Sequence, residues 1–207
     1  VHYLKGICYD DLPQEAIDAA KMLLTDIIAV SVAGSTAEGV QEAANVMFDW
    51  GGKEESTVLV YDKKIPADHA GFLNSVLSHA RDFDEVQPDA VVHTGISVIP
   101  TILTVADAVG CVDGKKIIET IVATVDLAVR MGNVVSVSGT KSGWIYSALL
   151  GNFAAAFGAG LILDLDEEQL VNALGIVYTQ AGGNQQAARD TTLSKRMQPG
   201  FAVRSGI

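Results

Sequence analysis

Apolar residues recur at helical spacing along most of the chain. After Leu12-Pro13-Gln14-Glu15, positions Ile17, Ala20, Leu24, Ile27 and Ile28 share one face to about Val32, and Gly34 ends the run. This predicts a helix with Pro13 in its first turn and Asp11 as its cap. Residues 41–49 predict a shorter amphipathic helix. Gly51-Gly52-Lys53 marks a turn, and residues 56–61 form the one strand-like stretch, through Thr57, Val58, Leu59 and Val60. Further helices are expected over 67–79, 96–109 (with Pro100 near its start), 114–134, 146–163 and 167–178. Asp164 or Asp166 can cap the last of these. Gln87-Pro88-Asp89 breaks the pattern into a loop, and Gly182-Gly183 marks a bend.

The expected fold is therefore mostly all-α: one large multi-helix domain over residues 1–207, with at most one short strand or hairpin. Residues 142–163 carry no charge and are long enough to span a bilayer. Gly151, Ala155 and Ala159 repeat every four residues, as do Ala154 and Gly158. Such stripes let helices approach closely, and in this otherwise ordinary composition they predict a buried central helix rather than a membrane span.

Composition narrows the class. About half of the 207 residues are hydrophobic, only 6% are aromatic, and the net charge is −11. An acidic chain lacks the basic face that nucleic acid requires. The charge is uneven: residues 142–188 contain no Lys or Arg, whereas 189–207 carry Arg189, Lys195, Arg196 and Arg204 against Asp190 alone. Cys8 and Cys111 have no metal-binding spacing and read as unpaired thiols of a reducing compartment. With no basic-then-apolar leader at the start, a cytoplasmic location is expected. The chain begins in apparent domain sequence at Val1 and stops at Ile207 without a closing signal, so it is expected to be part of a longer polypeptide. Phosphate-loop, G-x-G-x-x-G, H-E-x-x-H and G-x-S-x-G patterns are all absent.

The chemistry concentrates at His79-Ala80-Arg81-Asp82-Phe83-Asp84-Glu85, followed by His93-Thr94-Gly95. His79 and Asp82, three apart, share a helix face. A carboxylate and an imidazole there could do acid–base work. Spacing alone favours, slightly, a solvated helix end, with His79 and Arg81 facing the C-terminal dipole and Asp84 or Glu85 capping the loop. His79, Asp82, Asp84 and His93 would just supply a metal's ligands but lack the close pairs of a typical site, and no metal is expected. Lys195-Arg196 before Gln198-Pro199-Gly200 reads equally as a solvated helix start or an anion cradle.

Taken together, Leu12-Pro13 with Ala33-Gly34, Asn74, the 79–85 run, His93, and Lys195-Arg196-Met197 with Gly200 and Ala202 resemble the MmgE/PrpD family. That family includes 2-methylcitrate dehydratase, cis-aconitate decarboxylase and iminodisuccinate epimerase. Its pattern reads approximately N-G, H-A-x-D-F-D-D-T, H-P-S and K-R-L-H-x-G-x-A, and the resemblance runs the length of the chain. It implies a large helical domain, with the family's smaller α/β domain absent from this chain, and a homodimer. It also implies proton removal beside a carboxylate of a small di- or tricarboxylate, without metal or organic cofactor. By matched position, Asp82, His93 and Lys195 would be catalytic: Lys195 pairing a substrate carboxylate, His93 acting as acid or base, Asp82 orienting or sharing a proton. Asn74, Arg81, Arg196 and Gln198 would bind substrate or support the site.

The chain departs from the pattern at Val86 (Thr), Thr94-Gly95 (Pro-Ser), Ile145 (a family histidine after Gly-Phe) and Gln198 (His). A dehydratase-like lyase, an isomerase or epimerase of a related carboxylate, and a non-catalytic dimerisation or binding module on the same scaffold all fit these residues.

Overall fold

A computed structural model describes all residues, 1–207. Eight helices of nine residues or more make up the domain: α1 (Gln14–Gly34), α2 (Val40–Trp50), α3 (Ala67–His79), α4 (Gly95–Val109), α5 (Gly114–Asn133), α6 (Tyr146–Ile162), α7 (Glu167–Tyr178) and α8 (Gln198–Gly206). The one sheet is an antiparallel hairpin of β1 (Ser56–Val58) and β2 (Lys63–Ile65), with Ser56 opposite Ile65.

Helix α6 is the centre. It packs against α4, α5, α7 and α8, and nearly all its residues are buried. Uniformly apolar and small residues leave it no polar face to turn to water, so it is covered on every side. No helix is long and apolar enough to cross a membrane. The largest core joins α1, α4, α5 and α6 through Ile17, Ile27, Ile99, Ile102, Ile121 and Ile162. A second core joins α2, the hairpin and α3 through Val40, Met47, Val58, Ile65, Phe72 and Leu77.

Helix α3 carries the site. From Ala70 to His79 every residue is buried, because α1, α4 and α8 pack around it. Asn74 turns away from the helix end toward the hairpin. Its Oδ1 accepts from Leu59 N (2.8 Å) and its Nδ2 donates to Thr57 O (3.0 Å) and Thr104 Oγ1 (3.2 Å). Those bonds satisfy backbone groups that a two-stranded sheet leaves open. At the α1–α3 crossing, a Cβ on Gly34 would lie 2.0 Å from Leu77 O, so only glycine permits the approach.

Two expectations need correction, and one open choice is resolved. Asp11 does not cap α1: it lies in a single 3-10 turn (Tyr9–Asp11), and Leu12 and Pro13 are extended. Proline disfavours helix at the residue before it, so α1 starts only after Pro13. The strand stops at Val58 rather than Tyr61, because Val60 and Asp62 turn the chain with positive φ. Of the two candidate caps for α7, Asp166 forms a reciprocal capping box with Gln169, while Asp164 pairs with Lys116.

Replacing Gly34 with Ala is expected to destabilise the fold by about 3 kcal/mol, the upper range for overpacking against backbone. Denaturant unfolding of the two forms measures it.

Candidate active site

Five charged or titratable side chains meet where α3 ends. His79 is the last residue of α3; Asp82 and Asp84 follow in the loop, and His93 immediately precedes the Thr94 cap of α4. Lys195 arrives from the far end of the chain on a 3-10 turn (Leu193–Met197) leading into α8. Residues 113 and 116 positions apart thus become neighbours.

Asp84 is the hub. Its side chain is fully buried, His79 Nδ1 lies 3.0 Å from one oxygen and His93 Nδ1 2.7 Å from the other. The two rings meet edge to face, with centroids 5.5 Å apart. On its other side His79 Nε2 is 3.0 Å from Lys195 Nζ, which also donates to Asp82 Oδ1 at 2.6 Å. Asp84 accepts at His79 Nδ1, so that nitrogen carries the proton and Nε2 accepts from the lysine. The result is one continuous row: His93, Asp84, His79, Lys195, Asp82. Two of the lysine's three N–H groups are used, which leaves the third for a ligand. His93 is a quarter exposed at its side chain, and its contact with Asp84 is a close ion-pair approach of Nδ1 to Oδ2 rather than an aligned hydrogen bond.

The row sets protonation. Burial would raise the Asp84 carboxyl, but the imidazoles beside it hold it far below the usual carboxylate range. The Asp84 carboxylate raises His93 above 6.5, with further help from Glu85 and Asp82, against the opposing pull of burial. For Asp82 burial acts upward, and the Lys195 hydrogen bond and charge outweigh it, so the net direction is down. Asp82 also sits at φ +58, a left-handed conformation that aspartate tolerates better than most residues. Held there, its carboxylate faces the lysine.

The other expected site residues lie elsewhere. Arg81 turns back to the end of α1, donating to Ala33 O (3.2 Å) and Thr36 Oγ1 (2.9 Å). Arg196 donates to Glu38 O at 2.7 Å, bracing the α1–α2 connection. Asn74 is spent on the hairpin. Gln198 donates to Asn184 O (3.0 Å) and lines a polar cleft of about 530 Å³, together with Asn152, Gln186, Thr192 and Ser194. Asp82, His93 and Lys195 do not line that cleft. Glu85 does cap: its Oε1 accepts from the Thr94 and Gly95 amides at the start of α4. Asp84 is the correction, since a buried bridge between imidazoles replaces the solvated loop acid. His79 likewise is an inner member of the row rather than a charge at a helix dipole. The alternation Asp82-Phe83-Asp84 held the clue: Phe83 is exposed, and the acids beside it face the row.

His79, Asp84 and His93 also present ligand atoms within 4.8 Å of one another.

The whole chain, residues 1–207, matches the model of the MmgE/PrpD N-terminal domain, and it belongs to that family. It is similar to a cis-aconitate decarboxylase of Aspergillus terreus, 26% identical over all of this chain and 43% of the relative. A cis-aconitate decarboxylase-like protein, oryM, of Aspergillus oryzae is 28% identical over 95% of this chain and 42% of its own length. Human cis-aconitate decarboxylase is 22% identical over 99% of this chain and 43% of its own. The chain thus spans less than half the length of these curated relatives.

Replacing Asp84 with Asn is expected to lower the His93 titration midpoint, read by NMR of the ring protons. Asp82 and Asp84 have folded pKa values below their unfolded ones. Their stabilisation is present above about pH 4 and is lost as pH falls through the depressed folded values. His93 is raised, so its contribution is full below about pH 6.5 and is lost as pH rises through the folded value. Unfolding free energy measured against pH tests both limbs, and Asp84→Asn should flatten each.

Proposed function

We propose that this chain supplies the acid–base half of a cofactor-independent lyase acting on a small di- or tricarboxylate. The observation that carries the reading is the convergence of Asp82, His93 and Lys195, from separate parts of the chain, on one row organised by a buried carboxylate. Family membership and the decarboxylase names of its relatives support a lyase.

Lys195 offers its remaining N–H to a substrate carboxylate, where it counters the negative charge that grows as an adjacent C–H bond breaks. His93 Nε2 takes that proton as general base. Asp84 stabilises the imidazolium that forms, and its bond to His79 holds the lysine's acceptor in the right tautomer. The enolate-like intermediate then expels a β-hydroxyl, which leaves as water with the proton from His93, and a C=C bond forms. An epimerase shares the first step and returns the proton to carbon instead. The buried Asp84–His79 centre of the row favours catalysis over a non-catalytic module, since charged groups are costly to keep inside a protein for packing alone.

The same reading places the protein in a reducing compartment, the cytoplasm, with Cys8 and Cys111 free. It acts there as a homodimer, supported by apolar side chains left exposed on α1 and α7, among them Met22, Ile176 and Tyr178. Sedimentation of the whole polypeptide tests the assembly.

Methylcitrate, citrate, aconitate and iminodisuccinate should be assayed with the whole polypeptide. Lys195→Ala is expected to reduce turnover of any substrate found by about 10³-fold. Turnover unchanged in that variant would sink the assignment. Because His93 must be neutral to accept a proton, kcat/KM should rise through a midpoint above 6.5, and Asp84→Asn should move that midpoint down.

A further inference from the structure

The mechanism leaves one half-buried acid unused. Glu85 sits directly after the hub, yet its carboxylate turns the other way. Its Oε1 accepts three bonds: from Thr94 N (2.6 Å), Thr94 Oγ1 (2.9 Å) and Gly95 N (2.7 Å). Its Oε2 is buried without a partner. The space for that oxygen exists because residue 95 is glycine. A Cβ there would stand 2.6 Å from Glu85 Oε2 and 2.8 Å from the Ile27 side chain.

A proline at 94 would have no N–H for the carboxylate to accept from, and any side chain at 95 would set a Cβ against Oε2. The length of the acid, the Thr94 amide and the missing side chain of Gly95 therefore answer one another. Between them the chain closes a short loop, in which Gln87 N donates to Val92 O at 2.9 Å, while His93 N donates to Ser147 Oγ at 3.0 Å. His93 is thus held through its own amide by α6 and through the next two residues by Glu85.

We infer that Glu85, Thr94 and Gly95 form a coupled clamp, and that Glu85 is a positioning residue that fixes His93 against Asp84. Its importance for turnover rests on the acid–base role proposed for His93; the clamp itself does not. Glu85 acts through backbone geometry and never touches the reacting atoms. The groups facing His93 are Asp84, Glu85, Asp82 and, across the ring contact, His79.

The test uses the whole polypeptide and three variants. Glu85→Asp shortens the reach and should speed hydrogen exchange of the Thr94 and Gly95 amides about tenfold, as expected for loss of a charge-assisted bond. It should also lower kcat with KM changed less than about twofold. Glu85→Gln keeps the length and the acceptor oxygen, so amide protection should be retained while the His93 NMR midpoint falls with the lost charge. Gly95→Ala should destabilise alone, and less so when combined with Glu85→Asp, because the shorter acid withdraws from the new Cβ. The inference is overturned if Glu85→Asp leaves Thr94 and Gly95 exchange at wild-type values, if Glu85→Gln leaves the His93 midpoint unmoved, or if Gly95→Ala and Glu85→Asp add independently. If the wild-type polypeptide turns over no carboxylate while exchange and coupling behave as described, the lyase reading fails and the clamp stands.

Discussion

A single carboxylate holds the site together. Asp84 has no access to water, and a bare carboxylate there would be strongly unfavourable. Two imidazoles make it tolerable, one on each oxygen. Every other member takes its place from that requirement. His79 must present Nδ1–H inward, which turns Nε2 outward as an acceptor. That acceptor meets Lys195, and the ammonium in turn fixes Asp82. His93 approaches from the opposite side and is left with its outer nitrogen unpaired. The protonation pattern of the whole row follows from burying one acid.

The scaffold is arranged to keep that acid dry. Helix α3 is buried along most of its length, so its C-terminal residue emerges inside the domain rather than on the surface. Polar groups along it are absorbed locally: Asn74 by the hairpin, Ser75 by the carbonyl of Ile96. The small residues of α6 let α4, α5 and α8 close around it, and Ser147 near its start reaches His93. Glycine at the α1–α3 crossing and glycine beside Glu85 have the same function at different scales. Each removes one carbon so that two polar-bearing segments can meet.

Much of the architecture could be read from periodicity. The α3 and α7 spans agree with the expected ranges, and α4, α5 and α6 differ by a residue at an end, because long apolar repeats define them strongly. Local turn chemistry was harder: Pro13 delayed α1, and positive φ at Val60 cut the strand short. For the site, matched family positions brought Asp82, His93 and Lys195 to attention, and the fold gathers them. The central place of His79 and Asp84 was not legible, because spacing along a loop does not show which of several neighbouring acids turns inward. Arg81, Arg196 and Asn74 looked suited to a ligand, yet each meets a backbone group on another element, which no local pattern encodes.

Lys195 closes the site from more than a hundred residues downstream, and this imposes an order on the molecule's biogenesis. During synthesis Asp82, Asp84 and both histidines leave the ribosome long before their counter-charge exists. Until the turn at Leu193–Met197 docks, Asp82 lacks the ammonium that pairs with it in the folded chain. The row is therefore complete only when the Leu193–Met197 turn has folded onto the end of α3, and the ammonium acts as a seal certifying that the two have met.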